Sequence, residues 1–480
     1  TISFSFSNIT RNCKLGKMIP PTIVSKCTVQ QSNKYPAGTG TDTAVPTKLR
    51  LSVSDLSMLS LHYIQKGLLL PSLPPSSFND FVSLLKQSLA CTLSYFPPLA
   101  GRLYTDQTTG YAYISCNDAG AEFIHAKAEQ FSIDALLNPH QDVPEAFNAF
   151  FGENTLISYS GHIKPLLIVQ LTELNDAVFI GCTVNHSVSD GTSFWHFFNT
   201  FAEITKAGAV PNMVIQFPCF NRDTVFDSSV APTLPAGGPK LAFNTNEPTR
   251  ERIFHFSGDA IRRLKARANQ ERQDNHLDTQ ISSFQALCGL LWRSITRARK
   301  LPQEKETVFR MAANCRERVE PRLSPYYFGN AIQGIGTAAK AGELLSRSLG
   351  WCSELLRQNV AGHGDDKVRN LVAKWEKEPR VVSLRGNLDG TSIIMGSSPR
   401  FPIYNNDFGW GRPFAVRCGP ANKLDGKISA FPGREGGASI ELHIVLVPAT
   451  MAAIENDPDF IQYVSFNVVD ISPDLDAVET

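Results

Sequence analysis

The chain has 480 residues, 42% hydrophobic and 19% charged, with a formal net charge of +1. That is chain enough for a large core or two lobes, and the balanced charge argues against a nucleic-acid or membrane-surface partner. No apolar run reaches the length of about 18 residues that a transmembrane helix needs, and the ten cysteines form neither C-x-x-C pairs nor a zinc-spaced cluster with histidine. Scattered thiols suit a reducing cytoplasm. The expectation is therefore a cytoplasmic protein with no metal and no disulfide framework.

Residues 1–17 carry three basic and no acidic side chains and precede Met18. They read as a leader or an upstream extension, disordered in either case. Residues 23–30 alternate as a strand does, and 31–46 read as loop. Ser52-Val53-Ser54-Asp55 marks a turn or helix start, and 56–63 continue as mixed apolar structure. Ser77 and Asp80 resemble a capping box before Phe78, Phe81, Val82, Leu85 and Leu89, which recur at helical spacing. Phe96-Pro97-Pro98 stops that helix. A strand is expected over 110–115. His125 lies in another strand-like patch and reads as a core or partly exposed side chain.

The strongest hairpin signal pairs 166–171 with 177–184 around Asn175-Asp176. Val178, Ile180, Cys182 and Val184 share one parity, and His186 continues it. His186 is thus expected to point into an interior or a cleft. Asp190 and Gly191 follow, then a helical stripe of Phe194, Phe197, Phe198 and Phe201. A histidine at a strand end can act as a general base, because its ordinary pKa is about 6.5. Taken alone, H-x-x-x-D is a weak signal, and a core histidine is the commoner reading.

Residues 208–250 are proline- and glycine-rich without sustained periodicity and read as a crossover linker between two lobes. A strand over 252–256 leads to Ser257, which caps a basic helix over 260–269 with Arg262, Arg263, Lys265 and Arg267. Such charges usually form a solvated face; a phosphate-binding edge is the sharper option. Ser282-Ser283 begins another helix. A strand over 308–314 enters Cys315-Arg316-Glu317-Arg318, and Tyr326 to Asn330 form an aromatic-glycine turn. Helical patterns cover 344–358 and 368–376. The last quarter is a dense turn over 405–413, strands over 415–418, 427–431 and 439–447, and a helix over 450–464. The whole reads as mixed α/β without a strict βα repeat, dinucleotide fingerprint or P-loop. No serine or cysteine with an adjacent base stands out.

Several stretches together resemble a known family. His186-Ser187-Val188-Ser189-Asp190-Gly191 is similar to the HxxxDG motif of the plant BAHD acyltransferases, and Asp407-Phe408-Gly409-Trp410-Gly411 is identical to their DFGWG signature. Order and separation agree. Phe96-Pro97-Pro98-Leu99-Ala100-Gly101-Arg102, Asn314-Cys315-Arg316-Glu317-Arg318 and Tyr327-Phe328-Gly329-Asn330 extend the match to roughly residues 20–465.

The resemblance implies a two-lobed, chloramphenicol-acetyltransferase-like α/β architecture with a channel between the lobes. Residues 18–210, with about 408–426 crossing back, would form the first lobe. Residues 211–250 would be the linker and 251–480 the second lobe. The implied activity is transfer of an acyl group from acyl-CoA, as co-substrate, to a hydroxyl or amine of a small-molecule acceptor. His186 would be the base in a ternary complex without an acyl-enzyme. Asp190 would support its turn by pairing with Arg316 or Arg318, and DFGWG would be structural. Ser397, Ser398 and Asn330 are the candidate pocket residues. Ser398 departs from the family, where a Trp is common. Ser257, Lys265, Ser282 and Ser283 are the candidate CoA contacts. A monomer is expected. The alternatives are a lyase or other non-transferase on the same fold, working without CoA, and a non-catalytic binding member.

Overall fold

The computed structural model describes residues 20–32, 46–72, 78–209, 216–235, 237–243, 247–272, 279–383 and 390–466. Ser77 of the expected capping box lies outside them, as does the segment 1–17.

Two six-stranded sheets dominate the molecule. The first runs Thr22–Val29, Ala121–Lys127, Leu167–Glu173, Ala177–Val184, Ile64–Pro71 and Ala415–Cys418 in spatial order. The expected hairpin is present, with Leu167 opposite Val184 and Glu173 opposite Val178. Every residue of Ala177–Val184 is buried, so both faces of that strand are covered. Ile180 and Cys182 pack in the main first-lobe core, and Phe179 packs against Phe147, Phe150 and Phe151 on the other face.

The second sheet runs Ile332–Lys340, Glu306–Asn314, Ser392–Met395, Lys427–Pro432, Ile440–Leu446 and Arg250–Phe256. Its core includes Leu287, Leu290, Leu291 and Trp292 from the helix Ser283–Ala298. Burial of such side chains is worth roughly 1.5–3 kcal/mol each relative to exposure, which explains why the helices lie on the sheets. The chain crosses back late. Ser392–Met395 belongs to the second sheet, and Ala415–Cys418 pairs antiparallel with Ile64–Pro71 in the first.

Two sequence expectations change. The helix expected over 344–358 is two, Ala341–Ser346 and Leu349–Ala361, because Arg347 is extended and Ser348 caps the second one through Trp351 N. The helix expected over 450–464 also divides, into Pro448–Ile454 and Pro458–Ile461, where Asp457 caps and Pro458 begins a new turn. Described residues of the 208–250 segment pack into the fold. Phe226 is fully buried with Val53, Cys315 and Tyr327, and Cys219 forms a parallel bridge to Tyr327.

Candidate active site

The strand Ala177–Val184 ends at Asn185, and a tight turn follows. Asn185 Nδ2 donates to the Ser158 carbonyl at 2.7 Å, while its Oδ1 accepts from Ser187 N and Oγ at 2.9 and 2.7 Å. His186 N donates to Ser158 Oγ at 3.2 Å, and its carbonyl accepts from Asn330 Nδ2 at 2.7 Å. The backbone of His186 is therefore held on both sides. Among residues 177–190, His186 alone is only partly buried. The turn, rather than strand parity, sets its direction, because the strand buries both parities.

His186 faces a channel of about 1180 Å³. Its Nδ1 lies 3.2 Å from the Ser189 carbonyl oxygen. That oxygen can only accept, so Nδ1 carries the proton and Nε2 keeps a free lone pair. Burial lowers the imidazole pKa from its usual value; Asp190 pulls the other way, and Lys427 adds to the lowering. The neutral, basic form is thus the resident one near pH 7.

Asp190 does not face the channel. It caps the helix Gly191–Lys206, accepting from Ser193 N at 3.0 Å. Its two oxygens also meet Arg316 Nη1 and Nη2 at 2.7 and 3.1 Å, and Ala331 N at 3.1 Å. Both side chains are sealed, at 0% and 1% exposure, so the pair must be complete to be tolerated. Burial alone would raise the Asp190 carboxyl, but Arg316 and the two backbone donors hold it below the usual range. Arg316 goes on to the carbonyls of Tyr327 and Gly329. Arg318 has another partner set, the carbonyls of Val360 and His363, and reaches the channel wall.

Among the other candidates, Ser397, Ser398 and Ser282 line the channel. Asn330 does not. It is fully buried, accepting no place in the wall, and its amide bridges Asp55 Oδ1 and the His186 carbonyl. Ser257, Lys265 and Ser283 are also absent from the wall. Ser257 instead caps the helix Gly258–Gln270 through Ala260 N, which occupies its hydroxyl. Ser282 caps its own helix in a capping box with Gln285.

The segment 407–411 lies away from His186. Asp407 pairs with Lys206 at 2.6 Å and accepts from Gly409 N and Gly411 N. Those glycines take φ values of 109° and 130°, where a side chain would be strained. Phe408 packs on Phe201, and Trp410 sits edge-on to Phe81 at 4.3 Å while donating to the Pro71 carbonyl. These contacts pin the returning chain to the first lobe.

One polar cluster in the channel had no sequence signal. Lys66 Nζ lies 2.8 Å from Cys418 Sγ and 3.5 Å from Ser429 Oγ. Glu251 accepts from His443 Nε2 at 2.8 Å and pairs with Lys423 at 2.6 Å. Burial would raise the Cys418 thiol, but the charges of Lys66 and His443 push it well below its ordinary value. By geometry His443 Nδ1 has no hydrogen-bond partner, so its effect on the thiol is one of charge. These residues lie far apart in the chain and meet only where the two sheets face each other. The nine described cysteines are free. Among the described residues no group of three His, Cys, Asp or Glu side chains could hold a metal ion, and no helix is long and apolar enough to cross a membrane.

Residues 35–461 match the protein family described as the Transferase family. An acetyltransferase of Arabidopsis thaliana, itself uncharacterised, is 35% identical over 426 residues, covering 86% of this chain and 94% of that protein. The BAHD acyltransferase DCR of the same plant is 32% identical, covering 86% and 88%. The chain belongs to the BAHD acyltransferase family. Solved structures agree on the BAHD fold. The F. graminearum TRI101 structure, complexed with coenzyme A and T-2 mycotoxin, aligns with TM-score 0.72 at 19% identity, covering 88% of this chain and 99% of that one. Vinorine synthase aligns with TM-score 0.70 at 20% identity, covering 94% and 100%.

Proposed function

We propose that the protein transfers an acyl group directly from an acyl-CoA to a hydroxyl or amine of a small-molecule acceptor, with His186 as general base. The single observation that carries this is His186 on the channel wall with its Nδ1 against the Ser189 carbonyl, which leaves Nε2 as the free basic nitrogen. Nε2 takes the proton of the acceptor as its oxygen or nitrogen attacks the thioester carbonyl. The tetrahedral intermediate collapses, the carbon–sulfur bond breaks, and the imidazolium returns the proton to the leaving CoA thiolate. Ser397 and Ser398 stand in the channel wall as donors for the transient oxyanion. In this reading 18–210 with 408–426 present the base, and 251–480 supply the opposite wall. The chain acts as a cytoplasmic monomer.

Relatives support the donor class. A hydroxycinnamoyl-CoA:piscidic acid hydroxycinnamoyltransferase of Actaea racemosa is 29% identical, over 76% of this chain and 85% of that protein. The TRI101 structure holds coenzyme A. The test is a mass-spectrometric screen of acyl-CoA donors against hydroxyl and amine acceptors. New acylated product with stoichiometric free CoA is expected. Product formed without any thioester would favour a lyase, and no thioester consumption across the panel would favour a binding protein.

A further inference from the structure

Beside His186 the channel wall carries a lysine that the transfer chemistry above does not use. Lys427 begins the strand Lys427–Pro432 and lines the channel. Protein surrounds its ammonium closely enough that burial, with repulsion from Lys66, lowers its pKa to about 8. Cys418 attracts that ammonium by charge, but among the described residues no ion pair or hydrogen bond fixes it. Gly396 makes room for it, because a Cβ on residue 396 would collide with Nζ.

Negative charge is scarce around it: the Cys418 thiol, held low by Lys66 and His443, attracts both ammoniums, one anion against two cations. Lys66 contributes a second ammonium from the facing sheet, next to Cys418 and Ser429. The nearby carboxylate, Glu251, is already committed to His443 and Lys423. Positive charge in such excess is costly in a buried place unless a further anion completes it. Lys427 is also near enough for its charge to oppose protonation of His186. An anion seated on it would stand within reach of the reacting centre. The diphosphate of CoA is a poor fit there, since the whole pantetheine arm separates it from the thioester.

We infer that Lys427, with Lys66 behind it and Gly396 beneath it, forms a subsite for a substrate carboxylate, carried by the acyl group or by the acceptor. This rests on the acyltransferase reading for its location but not for its test. A carboxylate there neutralises the Lys427 charge and so removes a brake on the basicity of His186.

Calorimetric titration of the full chain tests this, in a His186→Ala background so that no donor turns over. Malonyl-CoA is compared with its neutral isostere acetoacetyl-CoA, and 3-hydroxybenzoate with 3-hydroxybenzamide. One acid is expected to bind about tenfold or more tightly than its neutral partner, as a charge-assisted contact should. Preference for malonyl-CoA assigns the carboxylate to the donor, and preference for 3-hydroxybenzoate assigns it to the acceptor. Lys427→Met should erase the preference while leaving affinity for the neutral partner and for CoA unchanged; Lys427→Gln serves if the first variant does not fold. No acid preference, a preference retained in both variants, or an equal loss of CoA affinity overturns the inference. CoA release by the unmodified protein is measured separately. Acid preference without CoA release keeps the subsite and rejects the transferase reading, and the converse rejects the subsite alone.

Discussion

Asn330 Nδ2 donates to the carbonyl of His186 at 2.7 Å, and the same amide group reaches Asp55 Oδ1 at 2.9 Å. His186 is thus positioned from behind by a side chain that never meets the channel. Asn330 belongs to the aromatic-glycine turn that also supplies two carbonyls to Arg316. The motif histidine and the Asp190–Arg316 pair are consequently one network.

Asn330→Ala should leave a buried carbonyl and a buried carboxylate each short of a donor. Each loss costs about 1–3 kcal/mol. The expected outcome is a lower unfolding temperature together with reduced kcat, read by calorimetry and initial rates. An unchanged kcat at full stability would show that the carbonyl of His186 needs no support.

Asp190→Asn should act mainly through stability. It removes the charge that compensates Arg316, and breaking a buried pair costs about 3–5 kcal/mol. Chemical denaturation should show that loss, with the activity of the remaining folded fraction reduced through misplacement of the turn. Full stability with abolished turnover would instead make Asp190 a participant in the chemistry.

Trp410→Ala removes a ring packed on Phe81 and Phe408 and a donor to Pro71. A large-to-small change of this kind costs about 3–5 kcal/mol. Stability should fall, while KM of the folded protein stays near its original value because the channel wall is untouched. A selective rise in KM would contradict a purely structural second signature.

The pH dependence follows from the lowered pKa of His186. The proposed mechanism uses the neutral imidazole, so kcat/KM should hold through neutral pH and fall only below the ordinary histidine value of about 6.5. Linkage has the same sign. The unfolded chain binds the proton at the ordinary value and the folded one only below it, so this contribution to stability is present above about 6.5 and lost as pH falls. Glu251 acts further down. His443 and Lys423 overcome its burial and hold it to about 2, so its share is present above its unfolded value and is lost as pH falls towards 2. An acid limb of kcat/KM above 6.5 would remove His186 as the titrating group.

Much of the site's frame was legible in the sequence because it is local. The hairpin, the turn after it and the capping Asp190 are set by neighbours in the chain. The choice of Arg316 over Arg318 was not legible, since both carry the same charge two residues apart and only the fold decides which meets Asp190. Asn330 stands among the pocket candidates on the resemblance, but its amide turns inward to Asp55, a partner far away in the chain. The strand Ile64–Pro71 was hidden by Gly67, whose missing side chain admits the Phe179 ring. Lys66, Cys418, Lys427 and His443 gave no motif at all. They meet through strand pairings such as Cys418 with Lys66 and Ser429 with His443, which no spacing along the chain encodes.

The central claim is direct transfer with His186 as base, and one comparison tests it most closely. Turnover of the best donor and acceptor from the screen is measured for the unmodified protein and for His186→Ala, alongside intact mass after incubation with donor alone. The account predicts a loss of about 10²–10⁴-fold in kcat, an unchanged unfolding temperature, and no acyl adduct on the protein. Near-normal turnover by His186→Ala, or an acyl group mapped to Cys418 that an added acceptor discharges, would contradict it.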